Sequence, residues 1–104
     1  MKSHLAPSRS ITEFASSHVD MTMCTRSDAA SVHYAVFAPG GLLGRHPARR
    51  SQSFTVVTGT GWVAGTDGIR QPVSAGQGVT WEPGEEHESG TDVGMCVVIV
   101  EEHA

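Results

Sequence analysis

Regularly spaced turn signals constrain this chain more than any other feature. They fall at PGG (39–41), TGTG (58–61), GTDG (65–68), AGQG (75–78), PGEE (83–86) and SGTD (89–92). Between them lie short segments rich in Val, Thr and aromatic residues. That rhythm predicts an all-β fold, a sandwich or barrel of short antiparallel strands. The expected strands are Met21–Arg26, Ser31–Phe37, Gln52–Thr58, Gly61–Gly65, Ile69–Pro72, Val79–Trp81 and Gly94–Glu101. The TDG at 66–68 reads as a hairpin tip, because glycine accepts positive φ without steric cost. Only Ser10-Ile-Thr-Glu13 is spaced as a helix start, a capping box followed by Phe14 and Ala15. Two serines and a valine soon follow, which limits it to a short helical turn.

With 104 residues the chain is read as one domain, with a loose N-terminus over 1–9 and a barrel over 10–104. The net charge of -4 argues against nucleic acid, whose phosphates require a basic face. The apolar run Met95–Val100 is too short to span a bilayer, and the start lacks the apolar stretch of a secretory signal. Cys24 and Cys96 match no CxxC spacing and sit in apolar-rich stretches. They read as two buried, reduced thiols, which implies a cytoplasmic setting.

Strand parity selects the candidate site. Alternate residues of a strand share a face, so Gln52, Phe54 and Val56 point one way. If extended backbone continues upstream, His46 and Ala48 join them. A second histidine, His87, lies between the turns PGEE and SGTD, at the end of a strand. Trp81 precedes it and is placed to wall a pocket, and Glu82 is the glutamate most able to reach inward. His33 alternates with Tyr34, so one of the two must face away from the interior.

The spacing of Gly40, His46, Gln52 and Gly59, followed by Gly76, Gly84 and His87, resembles the two signature motifs of the cupin superfamily. The resemblance covers about residues 32 to 100. It departs from the family pattern in the middle: Ala48 stands at the second His position and Gln52 at the Glu position. Glu82 holds the place of a proline, with Pro83 one residue late. The resemblance implies an antiparallel jelly-roll β-barrel, a homodimer, and a site in which the two motifs face each other. In metal-binding cupins three His and one Glu hold a divalent ion.

Two chemistries stay open at this point. His46, Gln52 and His87 could hold a divalent metal (Fe, Mn, Ni or Zn) weakly, since two imidazoles and an amide bring no negative charge. Alternatively His46 and His87 serve as general acid and base, with Gln52 donating a hydrogen bond to a carbonyl or enolate. The ligand pocket is expected to include Phe54, Val56, Trp81 and Glu82. The function implied is a small-molecule-binding protein, either a dioxygenase, isomerase or cyclase, or a non-catalytic binder that has lost metal chemistry. Arg45, Arg49 and Arg50 around His46, and four glutamates around His87, are placed to pair across a rim.

Overall fold

The computed structural model describes residues 1–103. Its strands are β1 (Ser8–Ser10), β2 (Ser17–Arg26), β3 (Ala30–Pro47), β4 (Gln52–Ala64), β5 (Gln71–Ser74), β6 (Gly78–Trp81), β7 (Glu86–Gly90) and β8 (Met95–Glu102). Both β3 and β4 pair with β7 and with β8, all antiparallel, so the ladder closes on itself as β3–β7–β4–β8. Closure leaves these four strands without the unpaired edges that invite aggregation. Strands β2 and then β1 extend the sheet beyond β3, while β5 and β6 pair with β4. This is the all-β barrel expected from the turn rhythm, in the antiparallel jelly-roll form that the resemblance implies.

Closure depends on two long, bent strands. The first half of β3, Ala30–Phe37, pairs with β8, and its second half, Leu42–Pro47, pairs with β7. The PGG between them, expected to be a turn, is a corner within the strand. Gly40 sits there at φ +81°, a region that suits glycine. TGTG behaves in the same way inside β4, with Gly59 at φ +85° and a register shift between Val56 and Thr58. The TDG hairpin forms as expected: the Gly68 N–H donates to the Gly65 carbonyl at 3.0 Å and joins β4 to β5. Strand β5 begins at Gln71 rather than Ile69. Strand β7 was not among the strands given ranges, but it carries His87 as its second residue, at a strand end as expected.

The interior follows strand parity. Phe54 and Val56 of β4 are buried, while Thr55 and Val57 between and after them are exposed. On β8, Met95, Val97 and Ile99 are buried and alternate with half-exposed Cys96 and Val98. On β3, Ala35 and Phe37 are buried, and His33 shares their face, while Tyr34 is exposed. Each fully buried Val or Phe contributes about 1.5–3 kcal/mol. The inward faces of β3, β4 and β8 therefore supply most of the barrel's cohesion.

Two N-terminal expectations are corrected. Within the stretch read as loose, Ser8 and Arg9 pair in β1 with Thr22 and Met21 of β2. The capping box does not form: Ser10 Oγ donates to Asp20 Oδ1 at 2.6 Å instead, and the single 3-10 turn is Glu13–Ala15, whose cap residue Thr12 makes no side-chain bond. The thiols also differ from expectation, because Cys24 is exposed and Cys96 half-buried.

Candidate functional site

A bulge in β3 between Leu43 and His46 shifts the register so that His46 stands directly opposite His87 of β7. The loops at this end are tied together as well. The Ala48 N–H donates to the Glu85 carbonyl at 2.9 Å, and the Gly84 N–H donates to the Ala48 carbonyl at 2.7 Å. The two imidazole centroids lie 4.1 Å apart. They belong to a column of rings running from the surface to the core. Phe14 stacks on His46 (4.4 Å, 6° between planes), and Trp81 lies 4.7 Å from His87. Phe54 meets Trp81 edge-on at 5.6 Å, and Phe37 meets Phe54 at 6.3 Å.

The two histidines differ in surroundings. His46 is half-buried, and its Nδ1 lies 2.7 Å from the Gly44 carbonyl oxygen. A carbonyl only accepts, so Nδ1 carries the proton and the neutral ring keeps its lone pair on Nε2. His87 is buried, and its Nε2 has no hydrogen-bond partner. Desolvation, and then the neighbouring His46, push the His87 imidazole down from 6.5 to about 4, so it is neutral at pH 7.

A cavity of about 500 Å³ opens beside this pair. Its chemistry-bearing walls are His46, Gln52 and His87, together with His33 and Glu101; Ile11, Met21, Leu43, Ala48 and Ile99 supply apolar surface. Arg9, Glu13, Phe14 and Arg49 also line it. The three residues picked from the motifs thus share one cavity. The four picked as pocket walls do not line it. Phe54 and Val56 are buried in the core beneath it, and Trp81 backs His87 while lining a separate hollow of about 280 Å³. Glu82 is exposed, in a surface depression with Arg50 and Glu102. The turn before β7 carries Glu82 outward, because its backbone closes on Glu85.

Parity along β3 and β8 would have found His33 and Glu101, which continue the inward series of Ala35 and Phe37 and of Val97 and Ile99. No sequence signal marked Phe14. Its backbone is left-handed (φ 57°, ψ 35°), as is that of Ala15 (φ 59°). A non-glycine residue pays about 1–2 kcal/mol for that conformation. The turn is held by the Gly44 N–H donating to Ser16 Oγ at 2.9 Å, and a Cβ at Gly44 would collide with the Phe14 carbonyl oxygen. Of the charges that could pair across the rim, Arg45 and Glu86 do so at 3.0 Å, both side chains staying partly exposed. Arg50 instead donates to the His103 carbonyl.

No family model matches the sequence, and no curated protein matches it significantly. Solved structures do match. The polyketide cyclase RemF from Streptomyces resistomycificus superposes with a TM-score of 0.85 at 15% identity, over 100% of this chain and 81% of its own. An RmlC-like cupin from Shewanella frigidimarina gives 0.78 at 21%, over 84% and 78%. A predicted oxalate decarboxylase from Thermotoga maritima gives 0.78 at 17%, over 91% and 89%. This chain has the cupin fold. At such identities the likeness extends to the fold and no further, and the differing activities in those names do not select one for this chain.

Whether a resident metal fits depends on the donors that this cavity supplies. Among the described residues no three or more His, Cys, Asp or Glu side chains are grouped to hold an ion. His46, His87 and Gln52 offer two neutral imidazoles and an amide, with Ala48 supplying no donor. A dication bound there would lack a compensating carboxylate, so the set does not fit a tightly held metal. Among the described residues no helix is long and apolar enough to cross a membrane.

Proposed function

We propose that this cupin binds a small, planar, largely apolar organic compound and moves a proton at a carbon next to its carbonyl group, the chemistry of isomerases and cyclases. The observation that carries this reading is the His46–His87 pair. One ring has its tautomer set by Gly44, and the other is neutral with a buried, unpartnered nitrogen. A buried polar atom without a partner is uncommon, and it marks this pair out in the wall of the cavity.

In the proposed step, His46 Nε2 takes a proton from the α-carbon, and the C–H electron pair moves into an enolate. The Gln52 amide N–H donates to the enolate oxygen as charge develops there. The same imidazolium returns its proton to the product carbon, so no oxidant or reductant is consumed. A polyketide cyclase among the structural neighbours fits this class. The second reading, a non-catalytic binder in a cytoplasmic setting, is favoured by the loss of metal donors at Ala48 and Gln52. We propose a homodimer as well, because outward-facing Tyr34 and Val36 of β3 are exposed.

The test uses 6-hydroxy-2-acetylnaphthalene in D₂O, with exchange of its acetyl protons followed by NMR. Accelerated exchange that is lost in His46→Gln supports catalysis. Binding without any acceleration supports the non-catalytic reading.

A further inference from the structure

The cavity has a second polar end that the motifs do not include. His33 stands on the inward face of β3 opposite Ile99, and Glu101 stands on the inward face of β8 opposite Ser31. They are therefore diagonal neighbours on one ladder, close enough for both to reach a single bound group. Glu101 also stands opposite Gln52 of β4, so a polar row runs across β3, β8 and β4 along the cavity wall. Both side chains are half-buried, and Glu101 takes part in neither ion pair among the described residues.

This end is electrostatically distinct from the histidine pair. Burial lowers the His33 imidazole, Glu101 raises it, and Arg26 and Arg9 lower it. His87 instead responds to burial and to His46. A half-desolvated carboxylate gains most from an O–H or N–H donor, because a charge-assisted hydrogen bond in a low dielectric is roughly twice as strong as a neutral one. The imidazole beside it can accept from or donate to the same group. The apolar part of the cavity wall comes from Met21, Leu43, Ala48 and Ile99.

We propose that His33 and Glu101 form an anchoring site for a hydroxyl or other hydrogen-bond donor on the ligand, at the end of the cavity away from the His46–His87 pair, with Gln52 between the two. This rests on the small-molecule reading above and narrows it to planar compounds that carry a carbonyl at one end and a phenolic or enolic hydroxyl at the other. Glu101 accepts from that hydroxyl and sets the ligand's orientation, so its role is positional.

The experiment compares 6-hydroxy-2-acetylnaphthalene with its 6-methoxy analogue, which keeps the carbonyl and rings but cannot donate. Dissociation constants are measured by quenching of tryptophan fluorescence. The wild-type protein is expected to bind the hydroxyl compound about tenfold more tightly. In Glu101→Gln and in His33→Ala that preference should fall to about threefold or less, with melting temperatures confirming that the variants fold. No preference in the wild type, a preference that survives both substitutions, or binding of neither probe overturns the proposal. Deuterium exchange on the same samples is read separately. A hydroxyl preference without exchange removes the catalytic reading and keeps the anchor, while exchange without a preference does the reverse.

Discussion

Strand β3 joins three ladders, and two of them, with β7 and with β8, do different things to their histidines. In the β3–β7 ladder His46 faces His87 directly, and burial keeps His87 neutral. In the β3–β8 ladder His33 has a carboxylate as its diagonal neighbour and arginines nearby. The same residue type thus meets a charge-excluding neighbour at one end and a charged neighbourhood at the other. A histidine's role in this barrel follows from its cross-strand partner more than from its strand.

The largest expected effect comes from breaking the histidine pair. His46→Gln should lower the rate of acetyl-proton exchange by about 10²–10⁴-fold, the usual worth of a positioned general base. NMR exchange at fixed probe concentration measures this, and a loss below tenfold would place the base elsewhere. Supplying the missing donors sharpens the contrast from the other side. The double change Ala48→His with Gln52→Glu should raise Zn²⁺ affinity by at least about 100-fold in calorimetric titration, since it adds an imidazole and a charge. An unchanged affinity would mean that positions 48 and 52 do not converge with His46 and His87.

The pH dependence of stability separates the two ends next. The folded His87 imidazole titrates near 4 and the unfolded one near 6.5, so between these values the unfolded chain binds the extra proton. That part of the stability is complete above pH 6.5, is lost as pH falls to about 4, and amounts to at most about 3 kcal/mol. Urea melts of wild type and His87→Gln should diverge in slope against pH over this window. Parallel curves would show that His87 is free to ionise in the folded state. The smallest effect concerns the ring over the pair: Phe14→Ala should raise the probe's off-rate a few-fold, in line with about 0.5–1.5 kcal/mol for a stacked aromatic contact. Stopped-flow dissociation tests it, and an unchanged rate would leave Phe14 as surface decoration.

Much of the site was legible because strands alternate. Gln52, Phe54 and Val56 do point inward, and the His46, Gln52 and His87 of the motif spacing do line one cavity. What parity cannot give is depth. Phe54 and Val56 face the interior but lie below the cavity floor, and Glu82 looked inward only while the turn from Glu82 to Glu85 was unknown. Glycines misled in one consistent way. PGG and TGTG read as turns between strands, yet each marks a corner inside one, because positive φ serves a bend as well as a reversal. The Phe14 turn was beyond reach for a different reason: its left-handed backbone is imposed by packing on Gly44 and His46 and contradicts local preference.

By itself the sequence determined an all-β chain, the inward face of each main strand and the donor types available at positions 46, 48, 52 and 87, since all three are properties of residue type and of a two-residue period. Tertiary structure alone decided that His46 meets His87, that His33 and Glu101 share their cavity, and that Phe14 covers the pair. Those contacts join residues far apart in the chain, and they depend on a bulge, two glycine corners and the closure of β3 and β4 around β7 and β8. No local pattern encodes a register, because shifting a strand by two residues preserves its faces while changing every partner.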